Sequence, residues 1–180
     1  MVPYNFRQVV PRTVTRLRRG IYLLPNLLTT GALFSGFYSI VAAMNQQFES
    51  AAIAIFIAMI LDGMDGRIAR LTNTQSAFGM QYDSLSDMIS FGLAPSLVIY
   101  KWALFSMGKF GWLAAFVYTV CACLRLARFN TQATSVDKRF FQGLPSPGAA
   151  AVIGGLVWSG TNHSFYNAPT IQLMYFLITV

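Results

Sequence analysis

An all-α, polytopic membrane helical bundle of six transmembrane helices, entered through an N-terminal amphipathic segment, is what this chain encodes. Composition is the first reason: 55% of the residues are hydrophobic and 11% charged, where soluble domains carry about 25% charged residues. The second is a series of apolar stretches separated by polar turns, at 21–44, 51–61, 88–100, 110–124, 149–158 and 171–180. The third is the placement of the basic residues. With the N-terminus in the cytosol and sides alternating at each span, only Lys101 and Lys109 of the 13 Lys and Arg fall outside, the bias that the positive-inside rule describes. The expected protein is an integral membrane protein with a cytoplasmic N-terminus.

Residues 1–20 form a cytosolic basic juxtamembrane segment. Arg12, Arg16 and Arg19 share one helical face, and Val9, Val10, Val14 and Leu17 add apolar surface, so residues 4–19 suit the membrane surface, with Pro11 interrupting them. The same arginines also serve simply to fix topology. A net charge of +7 has no soluble basic domain in which to meet nucleic acid; anionic lipid headgroups are the expected partner. The first span begins near Ile21 and includes Pro25 and Asn26, with Thr29 and Thr30 a turn later. Residues 45–50 make an outer loop. The second helix runs inward from Ala51 to about Arg70, and the third runs outward from a Ser76 cap to Tyr100 with a kink at Pro95. Only the first stretch is by itself long enough for a ~30 Å hydrocarbon layer, which needs about 20 residues; the second and third reach that length by extending through acidic sequence. The fourth helix covers 110–124 and the fifth about 148–159. The sixth begins at Ile171 and is cut off by the chain end. Cys121 and Cys123 match no zinc spacing and are expected in buried apolar packing, and His163 is expected in an outer loop.

Four of the six acidic residues form one constellation: Asp62, Asp65, Asp83 and Asp87, in the pattern D-x2-D-G-x2-A-R-x8-G-x3-D-x3-D. Carboxylates at membrane depth are costly and face a cavity or a partner. Spacings of three and four put Asp62, Asp65 and Ala69 on one face of the second helix, and Gly79, Asp83 and Asp87 on one face of the third. At a rise of 1.5 Å per residue, Asp62 lies roughly 12 Å before Arg70 and Asp83 roughly 10 Å after Ser76. The two helices are antiparallel, so four carboxylates converge at one depth. Such hard oxygen ligands favour Mg2+, Mn2+ or Ca2+, and a pair of ions about 3.5–4 Å apart would polarise a phosphoryl centre. Gly66, Ala69 and Gly79 leave the backbone open to a ligand, while the Arg70 fork suits phosphate oxygens. Two plainer readings stand beside this one. Small residues also serve close helix packing in membranes, and a single intramembrane aspartate more often belongs to an ion or proton transporter.

The aspartate pattern, with every position present from Asp62 to Asp87, resembles the signature of the CDP-alcohol phosphatidyltransferase family. Three further stretches are similar to its serine-accepting branch: Leu24-Pro25-Asn26-Leu27-Leu28-Thr29, Arg125-Leu126-Ala127-Arg128-Phe129-Asn130 and Phe141-Gln142-Gly143-Leu144-Pro145-Ser146-Pro147. The resemblance implies that residues 21–180 are the membrane domain and that it binds a CDP-linked lipid, CDP-diacylglycerol, with two divalent cations at its cytoplasmic face. It implies metal ligation by Asp62, Asp65 and Asp83, and it places Asp87 at the metals as general base on the acceptor hydroxyl. Gly66, Ala69, Arg70 and Gly79 would hold the CDP portion. Asn26 and Thr29 would contact the nucleotide, or else satisfy backbone near Pro25. Arg125 and Arg128 would bind the acceptor or a phosphate, or else only mark topology. The expected reaction is phosphatidyl transfer to L-serine with release of CMP; glycerol 3-phosphate and inositol phosphate are the alternative acceptors. A homodimer is usual where the resemblance leads.

Overall fold

The computed structural model describes residues 12–132, 144–162 and 179, with side chains for 24–131, 144–161 and 179. Every regular element among them is helical: α1 (Arg12–Met44), α2 (Phe48–Leu71), α3 (Ala77–Asp87), α4 (Ala94–Ile99), α5 (Lys109–Gln132) and α6 (Ser146–Asn162). α3 and α4 belong to one continuous span, Ala77–Met107. A π turn at Met88–Leu93 joins them, and a second π turn at Tyr100–Leu104 leads into a 3-10 turn at Phe105–Met107. Residues 1–11 of the amphipathic segment, residues 133–143, His163 and, apart from Thr179, the sixth helix expected at 171–180 lie outside the described residues.

Among the described residues three helices are long and apolar enough to cross a membrane: Leu24–Met44, Ala77–Met107 and Lys109–Thr131. With the family assignment reached below, they make this an integral membrane protein. α2 has the length, 24 residues or about 36 Å, but its second half carries Asp62, Asp65, Arg67 and Arg70. α6 has 17 residues. One boundary is corrected: α1 begins at Arg12, not near Ile21, so the backbone of 12–20 continues straight into the first span. Apolar content falls off before Ile21, but arginine is a good helix former and lets the helix propagate. Cys121 and Cys123 are also corrected. Both are exposed, facing outward from the bundle instead of packing inside it.

The bundle is built on α1. Three contacts run in opposite order along α1 and α2 and set them antiparallel. Ser39 donates to the Ala51 carbonyl at 2.8 Å, Gly31 lies against Leu61, and Thr29 donates to Asp65 at 2.6 Å. The third span lies parallel to α1, with Thr30 and Tyr82 hydroxyls 2.9 Å apart and Ser86 bonded to the Thr29 carbonyl at 3.2 Å. Further along, Ser90 bonds to the Ala32 carbonyl at 3.2 Å. Where Gly36 meets Ser90 the approach is so close that a Cβ would sit 2.5 Å from Ser90 Oγ. Small residues permit that approach in membranes, and hydroxyls across it find partners that lipid cannot offer.

α5 returns against the third span. Pro95 has no N–H for the carbonyl four residues earlier, that of Phe91, and Tyr118 Oη donates to it at 3.0 Å. Thr119 bonds to Ser96 at 2.9 Å, and Asn130 to Ser84 at 3.0 Å. α6 covers α2, with Phe56 and Trp158 rings 6.0 Å apart. The apolar core is alanine-rich and joins Ala42, Ala51, Ala52, Ile55, Phe91, Val98, Trp102, Ala150, Ile153 and Val157. It fills the half of the bundle away from the aspartates.

Candidate functional site

The turn between α2 and α3 brings the acidic faces together. Thr74 N–H bonds back to the Ala69 carbonyl at 3.1 Å, and Thr72 and Thr74 hydroxyls lie 2.7 Å apart. Asn73 takes φ 52°, the left-handed region that Asn tolerates. Ser76 caps α3 as expected, accepting from Gly79 N–H at 3.0 Å.

Asp62 from α2 and Asp83 and Asp87 from α3 each offer one carboxylate oxygen, and these lie within 4.8 Å of one another. A small divalent ion with bonds near 2.1 Å holds its ligands roughly 3–4 Å apart, so slight side-chain rotation closes the set on an ion. One Asp83 oxygen, Oδ1, is buried with no hydrogen-bond partner among the described residues. Such groups are costly unless something charged or polar completes them, and a hard cation meets both the vacancy in bonding and the negative charge. The donor set therefore fits a divalent metal.

Convergence of all four carboxylates was expected, and three form the cluster. Asp65 lies beside it but is tied to α1, 4% exposed, with Oδ2 accepting from Thr29 Oγ1 at 2.6 Å. The physical reason is competition: Thr29, buried at 4% exposure on the adjoining helix, offers a short charge-assisted bond. Its hydroxyl also lies 3.1 Å from the Pro25 carbonyl, the backbone alternative weighed for this residue. Thr30 likewise bonds to the Asn26 carbonyl at 2.7 Å.

Gly63 and Gly66 have nothing among the described residues within 4 Å of where a Cβ would sit. Packing against the described helices therefore does not account for them, and no described residue covers the α2 backbone at these two glycines. Gly79 differs, since a Cβ there would come 3.1 Å from Ser76 Oγ and 3.4 Å from Asn26 Oδ1. That brings the Asn26 side chain to the N-terminal turn of α3. Arg70 is exposed and donates from Nε to the Gly66 carbonyl at 2.9 Å, so its fork is held over the glycine. Ala69 is half-buried at the same end. Arg125 is half-buried and Arg128 exposed, both on the last turns of α5, which Asn130 ties to Ser84 next to Asp83.

Sequence reasoning passed over Tyr82, Ser86 and Ser90, which join the acidic helix to α1. Their spacing of four within an apolar span was the available signal. It also passed over Tyr118, for which the only hint was a polar tip within an otherwise apolar helix.

Several curated proteins are similar to this chain, and the three described next share the name CDP-diacylglycerol–serine O-phosphatidyltransferase. The one from Helicobacter pylori (strain ATCC 700392 / 26695) is 40% identical over 153 residues, covering 85% of this chain and 65% of that protein. The one from Mycobacterium leprae is 42% identical over 148 residues, 77% of this chain and 49% of the relative. The one from Bacillus subtilis is 36% identical over 124 residues, 69% of each. The chain thus spans about two thirds or less of the length of the first two. A family model described as CDP-alcohol phosphatidyltransferase matches residues 22–180, taking in both acidic helices and α1 from residue 22 onward, and the chain belongs to that family.

Proposed function

We propose that this chain transfers a phosphatidyl group from CDP-diacylglycerol to L-serine, giving phosphatidylserine and CMP. The observation that carries the reading is the Asp62, Asp83 and Asp87 cluster with its buried, unpartnered Asp83 oxygen. The similarity to relatives named for serine transfer selects the acceptor. Divalent cations, Mg2+ or Mn2+ with Ca2+ also suited, would be held by these three aspartates with Asp65 beside them, and would neutralise the diphosphate and the departing CMP. The serine hydroxyl attacks the phosphorus bonded to diacylglycerol, the bond from that phosphorus to the CMP oxygen breaks, and Asp87 takes the hydroxyl proton. A positioned base of this kind contributes about 10²–10⁴ in rate.

Around that centre the other residues bind and orient. Gly66 and Ala69 let the nucleotide lie against α2, and Arg70 neutralises phosphate oxygens with a planar fork. Asn26 and Gly79 shape the opposite wall. Arg125 and Arg128 receive the acceptor carboxylate or a lipid phosphate. The site opens to the cytoplasm because basic residues concentrate at that end. Residues 21–180 form the catalytic membrane domain of six spans, preceded by the basic 1–20 segment, and the working unit is a homodimer.

The test supplies the purified full chain with CDP-diacylglycerol and, separately, serine, glycerol 3-phosphate or inositol phosphate. CMP release with serine is expected. Release with a phosphorylated alcohol instead would reassign the acceptor. No release with any acceptor, together with ion flux in proteoliposomes, would replace the enzyme by a transporter.

A further inference from the structure

Thr29 touches both acidic helices at once. Its hydroxyl, 2.6 Å from Asp65 Oδ2, engages α2. Its carbonyl accepts the Ser86 hydroxyl at 3.2 Å, and Ser86 immediately precedes Asp87 on α3. The residue is 4% exposed, as is Asp65, and Ser86 is 3% exposed. A side chain so enclosed has no surface for a nucleotide. A short hydroxyl–carboxylate bond between two buried groups instead fixes the rotamer of the carboxylate, and bonds of that kind commonly set metal affinity about 10–100-fold.

We propose that Thr29 is a positioning residue for the metal centre: its hydroxyl orients Asp65, and its carbonyl holds the Ser86 turn that carries Asp87. The inference rests on the metal-dependent transfer proposed above and adds to it the part played by α1. Pro25 and the Thr29 turn are the framework, and the two acidic helices are registered against it.

The experiment uses the full chain in lipid nanodiscs and titrates Mn2+ by the electron paramagnetic resonance signal of the free ion. Thr29→Val keeps the shape and removes the donor; Thr29→Ser keeps the donor. Thr29→Val is expected to weaken Mn2+ binding about 10-fold, Thr29→Ser to stay within about 3-fold of the parent, and the KM for CDP-diacylglycerol at saturating Mn2+ to stay within about 2-fold for both. In an Asp65→Asn background Thr29→Val should change Mn2+ affinity no further, because the residue acts through that carboxylate. Unchanged Mn2+ affinity in a folded Thr29→Val would overturn the inference, as would a raised KM with normal Mn2+ binding, which would make Thr29 a nucleotide contact. If Thr29→Val does not fold, a Thr29→Ser variant with 10-fold weaker Mn2+ binding overturns it as well. A parent chain that binds no Mn2+ overturns instead the function on which the inference rests.

Discussion

Asp62, Asp83 and Asp87 sit in one cluster and so do not separate by position, but their proposed roles separate in kinetics. Asp87→Asn removes the proton acceptor while keeping the volume. At saturating Mn2+ it is expected to lower kcat by 10²–10⁴ and leave CDP-diacylglycerol binding in place; near-parental turnover would remove the base assignment. Asp62→Asn removes a ligand, so its activity should recover in part as Mn2+ is raised, with the half-saturating concentration shifted upward. Gly66 gives a cleaner test of ligand space. Since a Cβ there meets nothing within 4 Å, Gly66→Ala should leave the melting temperature unchanged or raise it, alanine being the better helix former by roughly 1 kcal/mol. Its KM for the CDP-lipid should nevertheless rise. A loss of stability with an unchanged KM would make Gly66 a packing residue.

The helices explain why the aspartates meet and what the chain alone made legible. Spacings of three and four within an apolar background were enough to put Asp62 opposite Asp83 and Asp87, because helical periodicity and a five-residue turn leave few alternatives. The bond that ties Asp65 to α1 was not legible. It depends on Thr29, which is 36 residues away in sequence and is brought to it by α1 packing. Pro95 signalled a break in regular helix hydrogen bonding, but the π turn before it and the Tyr118 bond from α5 to the Phe91 carbonyl were not legible. Removing the Tyr118 hydroxyl takes away one intramolecular hydrogen bond, worth about 0.5–1.5 kcal/mol. Tyr118→Phe should therefore lower the melting temperature measured in detergent, whereas an unchanged value would show that the carbonyl finds another partner. The start of α1 at Arg12 was missed because arginines end an apolar pattern without ending a helix.

The described bundle is polarised, with an alanine-rich core in one half and the clustered acidic side chains in the other. This division suits a substrate with acyl chains in the bilayer and a headgroup at the interface. The proposed orientation rests on charge and is directly measurable. In a background lacking Cys121 and Cys123, Asn73→Cys should react with an impermeant thiol reagent only after the cytoplasmic side is exposed, and Lys101→Cys from the outer side in intact cells. The reverse pattern would turn the site outward.

The central claim is that clustered carboxylates hold a divalent cation on which phosphatidyl transfer depends. CMP release from CDP-diacylglycerol in the presence of serine, followed as Mn2+ is removed by chelation and restored, addresses it directly. Release should vanish on chelation, return saturably with added Mn2+, and stay absent in Asp83→Asn, which alters the buried carboxylate whose oxygen lacks a partner. Full release under chelation, or in Asp83→Asn, would contradict the account.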